Sequence, residues 1–168
     1  MARQVRLNYI YASSTTWERF DLACDQLGWA RKSLVQQCLH AFFHKHHSFY
    51  QEAAIADAAA REMDEAEYYR ILRDGSEEDL QRYTLGRPGF GVTPIDSVPF
   101  NPSGTAIQRT YNVITISNYN AVLLKVARIV DTGPMVQLVS RIIEQHFEAY
   151  WEKNYLPQIE RDTNCSFR

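Results

Sequence analysis

The sequence predicts a mainly α-helical protein with two short strands, in which one strand–helix–helix unit is present twice around a helical insert. Three observations predict it. A strand-like run opens each unit, two amphipathic stretches follow at helical spacing, and a shift of 104 residues superposes the units without a gap. The resulting divisions are 1–50 for the first unit, 51–108 for a helical connector and proline-rich loop, and 109–168 for the second, degenerate unit.

The first strand is VRLNYIYASS, rich in Val, Leu, Ile and Tyr. Ser13, Ser14 or Thr15 then offers an N-cap, and Thr15 with Glu18 fits a capping box. Trp17, Phe20, Cys24 and Leu27 share one helical face, and Gly28 supplies the left-handed stop. A second helix starts near Ala30 and buries Leu34, Val35, Cys38, Leu39 and Phe42.

The order returns with YNVITIS as strand and Ser117 as cap. Ala121, Leu124, Ala127 and Val130 form the first helical face, and Thr132-Gly133-Pro134 makes the turn. Leu138, Val139, Ile142, Ile143 and His146 form the second face. Under the shift Asn8 meets Asn112, Ile10 meets Ile114, Ser13 meets Ser117 and Ala23 meets Ala127. Leu34, Val35 and Phe43 meet Leu138, Val139 and Phe147. These identities fall on strand, cap and core positions. The connector QEAAIADAAAREMDEAEYYRILRDG reads as helix, Ser76 to Asp79 as another capping box, and RPGFGVTPIDSVPFNPSG as a loop that packs through its regular apolar residues.

Charge is uneven although the net value is only −2. Residues 1–50 carry six basic and three acidic side chains, residues 51–87 five and ten, and residues 88–168 seven of each. A phosphate contact is therefore expected in the N-terminal third. No apolar run reaches membrane-spanning length, and the N-terminus lacks a signal core. Cys24, Cys38 and Cys165 are odd in number and widely spaced, which fits reduced thiols in a cytoplasmic protein. No phosphate loop, nucleophile elbow or paired carboxylates near a histidine points to an enzyme, and no cofactor is expected.

The stretch NYIYASSTTWERFDLACDQLGWARKSLVQQCLHAFF resembles the ribbon-helix-helix DNA-binding family (MetJ/Arc/CopG-like). Leu27-Gly28, Arg31-Lys32-Ser33, Leu34-Val35 and Cys38-Leu39 carry the resemblance, and the second unit matches in strand and core but not in its turn. The resemblance implies a short two-stranded antiparallel ribbon and a tandem pseudo-dimer within one chain. A lone strand cannot satisfy its own hydrogen-bond ladder, and covalent linkage supplies the partner at high effective concentration. It also implies a DNA-binding regulator or accessory protein, with the ribbon in the major groove of double-stranded DNA and phosphates held at the start of the second helices.

In that register Leu7, Tyr9 and Tyr11, with Tyr111, Val113 and Thr115, point outward; Asn8, Ile10 and Ala12, with Asn112, Ile114 and Ile116, point inward. The DNA-binding candidates are thus Tyr9, Tyr11, Val113 and Thr115 on the ribbon, Arg31, Lys32 and Ser33 at the turn, and Arg3 and Arg6 as an arm. The outward face departs from the family in being apolar or phenolic, and Met135, Val136 and Gln137 replace the basic turn. Hence the alternative of a protein-interaction module, partnered by another protein or a second copy, that keeps the scaffold without DNA. Arg31 and Lys32 equally fit a solvated helix start. His40, His44 and His47 are spaced to stack on one helical face as a weak metal candidate, against a plain polar surface. His146 takes the place of Phe42 and is expected in the core, near an aromatic cluster of Tyr150, Trp151 and Tyr155.

Overall fold

The computed structural model describes residues 6–75, 80, 93–95, 106–116, 118–131 and 135–165. Strand β1 (Arg6–Ser13) leads directly into α1 (Ser14–Leu27). Ser13 is the N-cap: its hydroxyl accepts the Thr16 N–H at 3.2 Å, so the Thr15–Glu18 pair sits inside the first turn and is not the cap. Gly28 ends α1 at φ 72°, and the N–H groups of Gly28 and Trp29 both return to the Cys24 carbonyl. Helix α2 (Arg31–Lys45) follows.

The connector forms two helices, α3 (His47–Ala60) and α4 (Glu65–Asp74), rather than a continuous one. Between them Glu62 adopts φ 55°. The Met63 N–H reaches the Ala58 carbonyl at 3.1 Å and the Glu62 N–H reaches Ala59 at 3.0 Å. This is a Schellman stop with glutamate where glycine is usual.

Strand β2 (Ala106–Thr115) precedes α5 (Asn118–Asp131) and α6 (Met135–Tyr150). It begins within the segment read as connector, ahead of YNVITIS. A π-turn (Trp151–Tyr155) and α7 (Leu156–Cys165) follow. The starts of α5 and α6 fall 104 residues after those of α1 and α2, Ser14 to Asn118 and Arg31 to Met135.

β1 and β2 pair antiparallel as a two-stranded sheet. Tyr9 to Ser13 pair in step with Thr110 to Ala106, and Arg6 and Leu7 with Thr115 and Ile114. The register shifts between Leu7 and Tyr9: one residue of β1 there lies opposite three of β2. Alternation therefore breaks at this point. Leu7, expected to face outward, is buried with Ile10 and Ala12, while Tyr9 is exposed.

The core lies between this ribbon and the helices. Trp17, Phe20, Ala23, Leu34, Val35, Cys38, Leu39, Phe42 and Phe43 are all buried. So are the residues 104 positions on: Ala121, Leu124, Ala127, Leu138, Val139, Ile142, Ile143, His146 and Phe147. Cys24 and Cys38 are free buried thiols. Helix α6 packs on β1, α1 and α2, while α3 and α4 cover α5.

Several buried polar side chains are tied in. Lys125 of α5 donates to the Leu72 and Gly75 carbonyls at 2.6 and 2.9 Å, a cation at the C-terminus of α4 where the helix dipole favours it. Arg61 and Tyr68 both donate to Asp57, at 3.0 and 2.9 Å. No helix among the described residues is long and apolar enough to cross a membrane.

Candidate nucleic-acid interface

The candidate residues fall in two places, the outer side of the ribbon and the turn before α2. On the ribbon, Tyr9 is 38% exposed and Tyr11 half-buried. Their rings meet edge to face at 5.8 Å. Tyr11 pairs across the ribbon with Gln108, and its hydroxyl donates to Gln108 Oε1 at 3.1 Å. Gln108 is exposed and leaves its amide NH2 available. Gln108 precedes the strand-like run YNVITIS and carries no strand signal of its own; only the pairing with β1 extends β2 back to Ala106.

The edge of β1 is held from α6. The Tyr11 N–H donates to Ser140 Oγ at 3.0 Å, and the Ser13 N–H donates to Glu144 Oε2 at 3.1 Å. One side of the ribbon is thus anchored in the helical layer.

At the turn, Arg31, Lys32 and Ser33 are exposed at the first positions of α2. The N-cap, Ala30, offers no side-chain acceptor to the first N–H groups. Arg31 is engaged by Asp21 at 3.4 Å and Asp25 at 3.5 Å. Asp21 also accepts from Arg109 at 2.6 Å, and the Arg109 guanidinium lies 4.7 Å from the Trp17 ring centre. The Arg109 hydrogen bond is the main cause that holds the Asp21 carboxyl below its ordinary range, with Arg31 adding to it. Asp21 therefore links β2 to the turn and offsets part of its positive charge. Lys32 makes no ion pair among the described residues. At the start of α6, Met135, Val136 and Gln137 are half-buried and uncharged.

Arg3 and the side chains of Arg6, Val113 and Thr115 lie outside the described residues, as do Ser117, the Thr132–Pro134 turn and the Ser76–Asp79 box; the backbones of Arg6 and Thr115 are paired. Of the sequence candidates, Tyr9 and Tyr11 are brought together, and Lys32 and Ser33 stand exposed beside an Arg31 that is already paired. Asp21 and Arg109 gave no sequence signal, since a carboxylate on a polar helical face and an arginine before a strand are commonplace.

The histidine face is divided. His40 and His44 stack with ring centres 6.1 Å apart, but α2 ends at Lys45 and His47 opens α3, so the three do not continue one helical stripe. No group of three metal-ligating side chains converges among the described residues. His146 is buried, and its Nε2 lies 2.7 Å from the Tyr155 hydroxyl.

No family model, curated protein or solved structure matches the chain.

Proposed function

We propose that the chain is a tandem ribbon-helix-helix pseudo-dimer and that it binds double-stranded DNA through the outer face of its ribbon, as a regulator or accessory protein. The observation that carries the reading is the antiparallel pairing of the two strands, each followed by two helices at the same spacing. A two-stranded ribbon is of a size to enter the major groove. Gln108, ordered by Tyr11, has the amide chemistry that pairs with adenine, and the start of α2 offers N–H groups and Lys32 to a phosphate.

A second reading rests on the pairing of Arg31 with Asp21 and Asp25 and on the net charge of −2. Both weaken the electrostatic pull on DNA and favour a scaffold that docks a protein instead.

Fluorescence polarisation with a random duplex at low and moderate salt decides between them. Binding that weakens steeply with salt supports the DNA reading, because non-specific affinity is chiefly counterion release. Absence of binding at low salt overturns it.

A further inference from the structure

The chain from α6 into α7 bends at the π-turn, and a cleft opens beneath the bend. In a straight α-helix residues nine apart lie on opposite faces and roughly 13 Å apart along the axis. Yet the Tyr155 hydroxyl sits 2.7 Å from His146 Nε2, and Tyr155 stacks on Phe147 with centres 5.3 Å apart. The turn begins after Tyr150 (φ −116°, ψ −5°), and the Leu156 N–H returns five residues to the Trp151 carbonyl. Pro157, which has no N–H and crowds the carbonyl four residues back, gives the chain a reason to leave α geometry here. Such turns frequently occur at functional sites.

The cleft is open to solvent on one side, has a volume of about 420 Å³ and is lined from the α1–α2 turn, α2, α6, the π-turn and α7, within the size range of small-molecule sites. Its composition is specific. Trp29, Tyr150 and Tyr155 supply aromatic walls, with Trp29 and Tyr155 edge to face at 6.1 Å. Lys45 and His44 stand exposed at the rim, and the other polar lining is amide and imidazole. No Asp or Glu among the described residues lines it. Burial holds the His146 imidazole down to about 4, so at neutral pH it presents a neutral polar ring at the base rather than a charge.

We infer that this cleft is a binding site for a small planar aromatic anion, an aryl carboxylate whose ring lies against Trp29, Tyr150 and Tyr155 while its carboxylate meets Lys45. Aromatic walls favour the ring by area and stacking, and the one-signed rim selects the charge. The site does not depend on the DNA reading: it touches the α1–α2 turn only through Trp29 and uses neither the ribbon residues nor Arg31, Lys32 or Ser33.

The test is titration of the whole protein at neutral pH with indoleacetate, tryptamine, benzoate and acetate, followed by calorimetry and by the Trp29 indole resonance. Indoleacetate is expected to bind and shift that resonance, with tryptamine and acetate weaker by on the order of tenfold. Lys45→Glu, a change at an exposed side chain, is expected to weaken indoleacetate by a similar factor without altering the unfolding temperature. The inference is overturned if neither indoleacetate nor benzoate binds at millimolar concentration, or if tryptamine binds as well as indoleacetate. Binding that leaves the Trp29 resonance unmoved, or that Lys45→Glu leaves unchanged, overturns it equally.

Discussion

Glu144 of α6 holds Ser13 by two hydrogen bonds, accepting its backbone N–H at 3.1 Å and its hydroxyl at 2.6 Å. The same hydroxyl caps α1. One serine thus joins the end of β1, the start of α1 and α6. Glu144→Ala is expected to lower unfolding free energy by about 1–3 kcal/mol, since the lost bonds are charge-assisted. A double-mutant cycle with Ser13→Ala measured by urea unfolding should show coupling of about 0.5 kcal/mol or more. Simple additivity would mean that the two residues act independently.

Two stops in the left-handed region should respond in opposite directions. Gly28→Ala meets no atom within 4 Å of the added Cβ, so its whole cost is conformational, about 1 kcal/mol of destabilisation. Glu62→Gly relieves strain at φ 55° and should stabilise by up to about 1 kcal/mol. Thermal unfolding of both variants checks the pair. A loss of stability in Glu62→Gly would show that the glutamate side chain contributes more than its backbone costs.

His146 makes stability depend on pH. Free imidazole titrates near 6.5, whereas burial holds the folded residue down to about 4. Between these values the unfolded chain binds the extra proton. This residue's contribution to stability is therefore fully lost by about pH 4, and it is constant above about pH 6.5, the difference being of the order of a few kcal/mol. His146→Phe, which places there the residue found 104 positions earlier at Phe42, should flatten urea midpoints across that interval. An unchanged slope would place the acid sensitivity elsewhere.

On the proposed DNA reading, Lys32→Ala should weaken duplex binding more than Arg31→Ala, because Arg31 is shared with Asp21 and Asp25. The salt slope should fall by about 1 for Lys32→Ala if one phosphate contact is lost. Equal effects would mean that Arg31 leaves its carboxylates on binding. Stability should barely change in either variant, as exposed ion pairs contribute about 0–1 kcal/mol.

Much of the secondary structure was legible in the sequence because its signals are local. A run rich in Val, Leu, Ile and Tyr marked β1, Gly28 marked the end of α1, and three- and four-residue spacing located the buried faces of α1, α2, α5 and α6. His146 was assigned to the core from its place in the repeat, and its hydroxyl partner Tyr155 was seen only as part of an aromatic cluster. The breaks at His46 and Glu62 were not legible, since neither residue is a usual helix stop; they divided the expected histidine stripe and the connector helix.

The sequence by itself determined that this protein is mainly helical, where most of its helices begin, and which of their faces are apolar, because periodicity and capping act over a few residues. Only the tertiary structure decided the ribbon's register and the burial of Leu7, since pairing is settled between strands about a hundred residues apart. It also decided that Asp21 shares its charge between Arg31 and Arg109, and that Tyr155 folds back onto His146. Those arrangements arise from contacts made across the fold, which local spacing does not encode.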